Sequence, residues 1–137
     1  MKTVTSTNIK TLIKLYDGFL IDAFGVLVNG TETLPGAREF IKTLEEHKKD
    51  YLIVTNNASS VSLKISESFS KHGFSIPEEK ILSSGSLIKP WIEENFSFPP
   101  KCLFMGHKGA EELLDDIDLK DIADFENKII ERCKSDK

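Results

Sequence analysis

Short apolar runs that end in polar residues alternate along this chain with segments of helical periodicity. The run at 18–22 ends in the carboxylate Asp22, and the run at 51–54 is followed by the polar residues 55–57. Buried parallel strands produce such runs because both of their faces are covered, while their carboxyl ends open at one edge of the sheet. The alternation with helices predicts an α/β fold with a doubly wound parallel sheet.

Four strands and the helices between them are predicted. The expected strands are 18–22, 51–54, 81–82 and 102–105. Helical spacing of apolar residues predicts helices at 8–15, 35–47, 59–73, 87–92, 109–114 and 121–133. After the first strand, Asn29-Gly30 predicts a small hairpin with a type I′ turn, which would form a flap beside the strand end.

The composition limits the possible functions. A length of 137 residues with 39% apolar residues predicts a single compact domain over 1–137. The net charge of −4 and the lack of a dense basic stretch argue against nucleic acid as a partner. No apolar run approaches the ~18 residues that span a membrane, and 1–8 is too polar for a signal peptide, so we expect a cytoplasmic protein. Cys102 and Cys133 match no disulfide framework or metal motif and are predicted to be reduced.

Four short motifs follow one another along the chain. They are Asp22-Ala-Phe-Gly, Asn29-Gly30, Leu34-Pro35-Gly36-Ala37 and Thr55-Asn56-Asn57. This ordered set resembles the haloacid dehalogenase-like superfamily, and in particular its class IIA branch of the NagD and nitrophenyl-phosphatase type. Each motif alone is weak, but the ordered set is specific, and the resemblance extends over roughly residues 16–114.

The resemblance implies roles for three side chains. Asp22 would attack a phosphoryl phosphorus with one carboxylate oxygen and bind Mg²⁺ with the other. Thr55 and Asn56 would hold the phosphoryl group of a small phosphorylated metabolite, together with backbone amides at the start of the next helix. Without the resemblance, Asp22 would be interpreted as a strand-end carboxylate that caps a turn, and Thr55 as the N-terminal cap of the next helix.

Phe24 departs from the pattern of the superfamily. Most members carry a second Asp at this position, which is the general acid that protonates the leaving alcohol, and a phenyl ring cannot donate a proton. The resemblance implies that the backbone carbonyl of Phe24 would still bind the metal. An aromatic residue here resembles one subgroup of class IIA, yet it leaves the proton of the leaving group without a donor.

The later motifs of the family are not recognisable in this sequence. They comprise a cap domain, a Lys that orients the nucleophile, and a Gly-Asp strand end with further acidic metal ligands. His107 and Lys108 are interpreted as surface residues rather than replacements for these groups. A cluster of acidic residues is interpreted as a solvated loop and helix start: Asp115, Asp116, Asp118, Asp121 and Asp124.

Two functions are therefore weighed for a chain that resembles the amino-terminal half of its family. The first is a Mg²⁺-dependent phosphohydrolase, or the amino-terminal part of one with little activity alone. The second is a non-catalytic α/β module that binds a phosphorylated ligand or a partner protein. A receiver-type signalling domain is a weaker third alternative, because its acidic pair and its phosphoacceptor have no counterparts here. An incomplete sheet would also expose an edge and favour self-association.

Overall fold

The computed structural model describes residues 8–97, 101–103, 110–114 and 118–120. The helices are α1 (Ile9–Leu15), α2 (Ala37–Glu46), α3 (Ser62–Lys71) and α4 (Ile88–Asn95), with 3-10 turns at Glu78–Lys80, Gly85–Leu87 and Ala110–Leu114. The strands are β1 (Gly18–Asp22), β2 (Val28–Asn29), β3 (Glu32–Thr33), β4 (Asp50–Thr55), β5 (Ile81–Ser83), β6 (Lys101–Leu103) and β7 (Asp118–Lys120). Two compact units are present, the first made of Met1–Asn56 with Ser62–Ser83, and the second of Asn57–Val61 with Ser84–Lys137.

The first unit contains a three-stranded parallel sheet in the order β1-β4-β5. The three strands are connected through α2 and α3, which is the crossover arrangement that parallel strands require. The predicted α/β class with a parallel sheet is thereby confirmed. The register aligns Ile21 with Ile53, and Ile53 with Ile81. These three side chains therefore share one face of the sheet.

That face carries the hydrophobic core of the first unit. Ile53 is completely buried, with an exposed fraction of 0%, and its two register partners are also buried. Helices α2 and α3 contribute further buried side chains to the same cluster, namely Ile41, Leu44, Ile65 and Phe69. Complete burial of one such aliphatic side chain stabilises the fold by about 1.5–3 kcal/mol, so this face accounts for much of the stability of the unit.

The opposite face of the sheet is less covered. Alternation along the strands places Leu20, Leu52, Val54 and Leu82 on this face. Leu20 is 80% exposed, and the other three are only partly buried. In the described part of the chain β1 is also an edge strand, with one neighbour in the sheet. Parallel sheets are normally buried on both faces, so the self-association predicted from the sequence would involve this apolar surface.

Tyr51 anchors the first half of β4. Its hydroxyl donates a hydrogen bond to Glu45 Oε1 at 2.9 Å, and the Lys80 ammonium lies 4.0 Å from its ring centroid. Burial raises the pKa of Tyr51 far above its usual range, and the hydrogen bond and the negative charge of Glu45 add to the increase. Tyr51 is therefore a protonated structural group, and it lies at the opposite end of β4 from Thr55.

The second unit corrects three of the sequence-based predictions. The predicted fourth strand begins at Lys101 and pairs in parallel with β7, not with the three-stranded sheet, in the part of the chain that the structure describes. Asp118 lies in β7, so its assignment to a solvated loop was wrong. The physical reason is the polar–apolar–polar alternation of residues 118–120, which places Leu119 opposite Cys102. The predicted helix at 109–114 is a 3-10 helix over Ala110–Leu114.

A small separate core holds the second unit together. Ile92, Leu113 and Leu114 are buried, with Val61, Ile88 and Cys102 packed against them. The other predictions for this region lie outside the described residues: His107, Lys108, Cys133, the helix at 121–133 and the remaining acidic residues. None of the helices within the described ranges has the length and apolar character needed to span a membrane.

The flap hairpin is confirmed, but its turn lies one residue later than predicted. Asn29 belongs to β2 and pairs with Glu32, so the turn residues are Gly30 and Thr31. Gly30 has a φ of 66°, whereas Asn29 is not among the residues with positive φ. A type I′ turn at Asn29-Gly30 was therefore wrong, because it requires positive φ at both residues.

Leu20 tests whether the less covered sheet face causes self-association. We expect the chain to associate at high concentration, and Leu20→Lys to reduce that association because it places a charge on the apolar face. Light scattering across a concentration series measures the effect, with Leu63→Lys on α3 as the control because Leu63 is also exposed. A wild-type chain that stays monomeric throughout would contradict the expectation.

Tyr51→Phe tests the buried phenol. Because the pKa of Tyr51 is higher in the folded than in the unfolded state, its stabilising contribution is complete below about pH 10 and is lost at higher pH. The free energy of unfolding of the wild type should therefore fall more steeply above about pH 10 than that of Tyr51→Phe. At neutral pH the variant should lose about 1 kcal/mol with its hydrogen bond. Urea unfolding at neutral pH and above about pH 10 measures the free energy of unfolding of both proteins. The control is Tyr16→Phe, which changes an exposed tyrosine. The same dependence on pH in the wild type and in Tyr51→Phe would disprove the prediction.

Candidate active site

The carboxyl ends of β1 and β4 bring the predicted site residues together. Asp22 ends β1 and aligns with Val54, so Thr55 lies one residue further along the neighbouring strand. With the usual spacing between strands and between residues, the Cα atoms of Asp22 and Thr55 are about 6 Å apart. Asn56 follows directly. This edge of an α/β sheet is where such folds bind small ligands.

The exposure of these residues suits a site that receives a ligand from solvent. Asp22 and Asn56 are exposed, and Thr55 is half-buried at the end of β4. The Asp22 carboxylate is therefore accessible to an incoming phosphoryl group. No side chain has to move out of the core to reach it.

Thr55 is not the N-terminal cap of the following helix. Helix α3 begins at Ser62, seven positions beyond Thr55 in the numbering, and a capping residue directly precedes the first helical turn. The structure thus contradicts the alternative interpretation of Thr55. It also corrects the expectation that amides at the start of that helix follow directly on Asn56.

Asn57 has a structural role that the sequence analysis did not assign. Its Oδ1 accepts hydrogen bonds of 2.9 Å from both the backbone N–H and the hydroxyl of Ser59. This is an Asx turn, in which the side chain takes the place of a backbone carbonyl. Asn57 and Ser59 belong to the second unit. An Asn two residues before a Ser is the sequence signal that indicates such a turn.

A tight turn over residues 23–28 follows Asp22. The amides of Leu27 and Val28 donate to the Ala23 carbonyl at 2.9 and 3.1 Å, and the Gly25 amide donates to the Val28 carbonyl at 2.8 Å. Gly25 has a φ of 82°, which strongly favours glycine at this position. Ala23 is buried and Leu27 has an exposed fraction of 0%, so the turn is anchored in the core. The main chain at Phe24 is therefore held in a fixed position directly after the candidate nucleophile.

The flap is held by contacts that join it to the end of α3. The Thr33 hydroxyl and the Arg38 Nε both donate to the His72 carbonyl, at 3.0 and 2.9 Å. The Leu34 amide donates to the Leu27 carbonyl at 2.9 Å, which connects the flap to the turn. His72 is far from Thr33 and Arg38 in the sequence, so no local pattern predicts these contacts.

The oxygen donors after β1 suit a magnesium site with few protein ligands better than a site in which the protein supplies every ligand. Asp22 supplies a carboxylate, and the backbone carbonyl of Phe24 is the second predicted donor. The described ranges contain no cluster of three or more His, Cys, Asp or Glu side chains that could hold a metal. Mg²⁺ commonly uses one or two carboxylates and completes its coordination with water and substrate phosphate. A site with few protein ligands is thus compatible with this ion.

The chain is similar to known proteins over much of its length. Residues 19–120 match the family described as haloacid dehalogenase-like hydrolase. The 5'-nucleotidase YutF of Bacillus subtilis is 35% identical over 72 residues, which are 53% of this chain and 28% of that protein. The 4-nitrophenylphosphatase of Schizosaccharomyces pombe is 28% identical over 108 residues, which are 77% of this chain and 36% of that protein. The chain thus spans about a third of the length of these curated relatives.

Solved structures give the same assignment. A possible sugar phosphatase from Cytophaga hutchinsonii superposes with a TM-score of 0.75 at 31% identity, over 86% of this chain and 42% of that one. A glycerol phosphate phosphatase from Mycobacterium tuberculosis, solved in complex with magnesium, superposes with a TM-score of 0.66 at 21% identity, over 79% of this chain and 32% of that one. The second likeness is one of fold.

The chain belongs to the haloacid dehalogenase-like hydrolase family. Similarity to a 4-nitrophenylphosphatase supports the class IIA branch that the ordered motifs indicated.

Proposed function

We propose that this protein is a Mg²⁺-dependent phosphohydrolase of small phosphorylated metabolites, or the part of one that carries its nucleophile. The observation that supports this most directly is the adjacency of Asp22 and Thr55 at the carboxyl ends of two neighbouring strands. At this sheet edge an exposed carboxylate, a hydroxyl one residue beyond its register partner and the amide that follows would supply a nucleophile and two donors for phosphoryl oxygens.

The proposed reaction has two steps on Asp22. In the first, a carboxylate oxygen of Asp22 attacks the phosphorus, and the bond from phosphorus to the ester oxygen breaks, with its electron pair passing to the leaving group. In the second, water attacks the phosphorus of the aspartyl phosphate, which restores the carboxylate and releases inorganic phosphate. Thr55 and Asn56 donate hydrogen bonds to the phosphoryl oxygens and hold the group in line with the nucleophile.

The other Asp22 oxygen and the Phe24 carbonyl would hold Mg²⁺. When bound, the ion supplies positive charge that offsets the repulsion between the carboxylate and the phosphoryl oxygens. The anchored turn supports this role for Phe24, because hydrogen bonds at Ala23 and Val28 fix the main chain on both sides of it. The magnesium complex of the mycobacterial relative is consistent with a divalent cation here.

The names of the relatives favour a small phosphate ester as substrate. They include a nucleotidase, a nitrophenylphosphatase and a possible sugar phosphatase, which share the phosphate group rather than the rest of the molecule. The residues that we assign to catalysis would contact only that shared group. We therefore propose that the remainder of the substrate is selected by other surfaces.

Phosphorylation of Asp22 tests the proposal. With Mg²⁺ and 4-nitrophenyl phosphate, the wild-type chain should acquire one phosphoryl group that is absent in Asp22→Asn, as measured by intact-mass spectrometry after acid quenching. Thr55→Val should slow the transfer by about 10²-fold, because one donor to the developing charge is lost. Steady turnover by this chain alone should be very slow, because the Lys that orients the nucleophile and the further acidic metal ligands of the family are not recognisable in its sequence.

Two controls accompany this experiment. Asp50→Asn removes an exposed carboxylate at the opposite end of β4 and should leave the phosphorylation unchanged. EDTA should abolish it and added Mg²⁺ should restore it. Phosphorylation that persists in Asp22→Asn would disprove the assignment of the nucleophile. Binding of phosphate esters with no phosphorylation would favour a non-catalytic binding module.

A further inference from the structure

The flap hairpin is too short to hold its position by itself. Strands β2 and β3 pair through two residues each, and none of residues 28–33 is buried. An isolated two-stranded hairpin is marginally stable at best in water, so this one depends on contacts with the rest of the first unit. Val28 and Leu34 pack against the core at the base of the hairpin. Further contacts come from Thr33 on β3, which reaches the end of α3.

Thr33, Arg38 and the main chain at His72 form a cluster that we call the flap anchor. The Thr33 hydroxyl and Arg38 Nε donate to the His72 carbonyl at 3.0 and 2.9 Å, and Arg38 Nη2 donates to Thr33 Oγ1 at 3.4 Å. The His72 Nδ1 lies 3.5 Å from the same Oγ1. The guanidinium also lies against Gly73, where a Cβ atom would be only 3.1 Å from Arg38 Cζ. Carbonyls at the end of a helix lack partners within it and carry partial negative charge, which explains why a cation binds here.

The flap anchor is connected through Val28 to the turn that follows Asp22. Val28 is the partner of Thr33 across the hairpin. The Val28 amide donates to the Ala23 carbonyl at 3.1 Å, and the Val28 carbonyl accepts from the Gly25 amide at 2.8 Å. Both main-chain groups of Val28 are therefore bound to the turn, which begins one residue after Asp22. The position of β3 and the position of this turn depend on each other.

We propose that Thr33 and Arg38 are positioning residues for Asp22. This inference rests on the proposed function of Asp22 and adds the residues that keep its main chain oriented for attack. They act through Val28 and the turn, not by contact with the phosphoryl group. In-line attack requires the reacting atoms to lie about 3–3.5 Å apart, and a displacement of about 1 Å slows such a reaction strongly. With the flap anchor formed, β3 holds Val28 in place, and Val28 holds the turn.

Hydrogen exchange tests the flap anchor without ligand or turnover. Exchange of the Gly25 and Val28 amides is compared with that of the β4 amides by NMR of the 137-residue chain. Thr33→Val should speed exchange of the two turn amides about two- to tenfold relative to β4, the range expected for one lost hydrogen bond. Thr33→Ser retains the hydroxyl and should restore the wild-type rates. Arg38→Ala should resemble Thr33→Val.

Phosphorylation of Asp22 tests the positioning role. With 4-nitrophenyl phosphate and Mg²⁺, Thr33→Val and Arg38→Ala should each slow the transfer about two- to fivefold, because a marginal hairpin without its anchor populates displaced conformations. Together they should cost less than the product of the two, since both side chains bind one carbonyl. The controls are Thr43→Val and Lys42→Ala, which remove the same kinds of group from α2 outside the flap anchor and should leave the rate unchanged.

The outcomes separate the positioning role from the proposed function. Unchanged exchange in Thr33→Val, or an equal rise in the turn and in β4, would overturn the positioning role even if Asp22 is phosphorylated. Faster exchange confined to the turn, with an unchanged rate of phosphorylation, would overturn it as well. A wild type that is never phosphorylated would overturn the proposed function itself, whereas turn-selective exchange in that protein would still support the flap anchor.

Discussion

Burial of Ile53 in the middle of β4 is the constraint on which the candidate site depends. Ile53 has no exposed surface, and its register partners Ile21 and Ile81 lie on either side of it on the same sheet face. A shift of β4 by one residue would turn Ile53 to the less covered face, at a cost of about 1.5–3 kcal/mol for that side chain alone. The register that keeps it buried is the same register that places Thr55 beside Asp22. Packing in the core therefore determines which residues lie together at the strand ends.

A second connection between core and site runs through the turn after β1. Leu27 is fully buried and Ala23 nearly so, and their backbone groups close the turn around Phe24. Replacing Leu27 by Ala would cost about 2–5 kcal/mol in the core and would also release the main chain at Phe24. The turn is rigid because it belongs to the core, and for that reason an exposed ring such as Phe24 can present a defined surface.

The sequence predicted the strand ends correctly because their signals are local. A buried run that ends in Asp22 and another that ends in Thr55 are visible without knowledge of any tertiary contact. Their roles in catalysis stay predictions, since adjacency alone does not establish a reaction. The hairpin turn was placed one residue too early because Asn29-Gly30 is a strong local turn signal. The pairing with Glu32, which moved the turn, depends on the partner strand.

Long-range contacts account for what the sequence did not predict. Thr33 and Arg38 meet His72 through the fold, and their residue types indicate nothing about that contact. The β6–β7 pair was missed for a different reason. A three-residue strand with polar residues at both ends is too short to show the apolar run by which the other strands were found. Pairing gave residues 118–120 a structure that their composition did not indicate.

Asp22 and Leu20 lie two residues apart and so share one face of β1, which connects the exposed apolar surface with the candidate site. Leu20 is 80% exposed, so the surface around the strand end on that face is open to water. Water weakens the interaction of a carboxylate with a cation or a phosphoryl group, because charges four ångströms apart attract about four times less strongly in bulk water than near a protein surface. A partner that covered Leu20 would also displace water from the neighbourhood of Asp22. The exposure of the apolar face and the electrostatics of the candidate nucleophile are therefore linked.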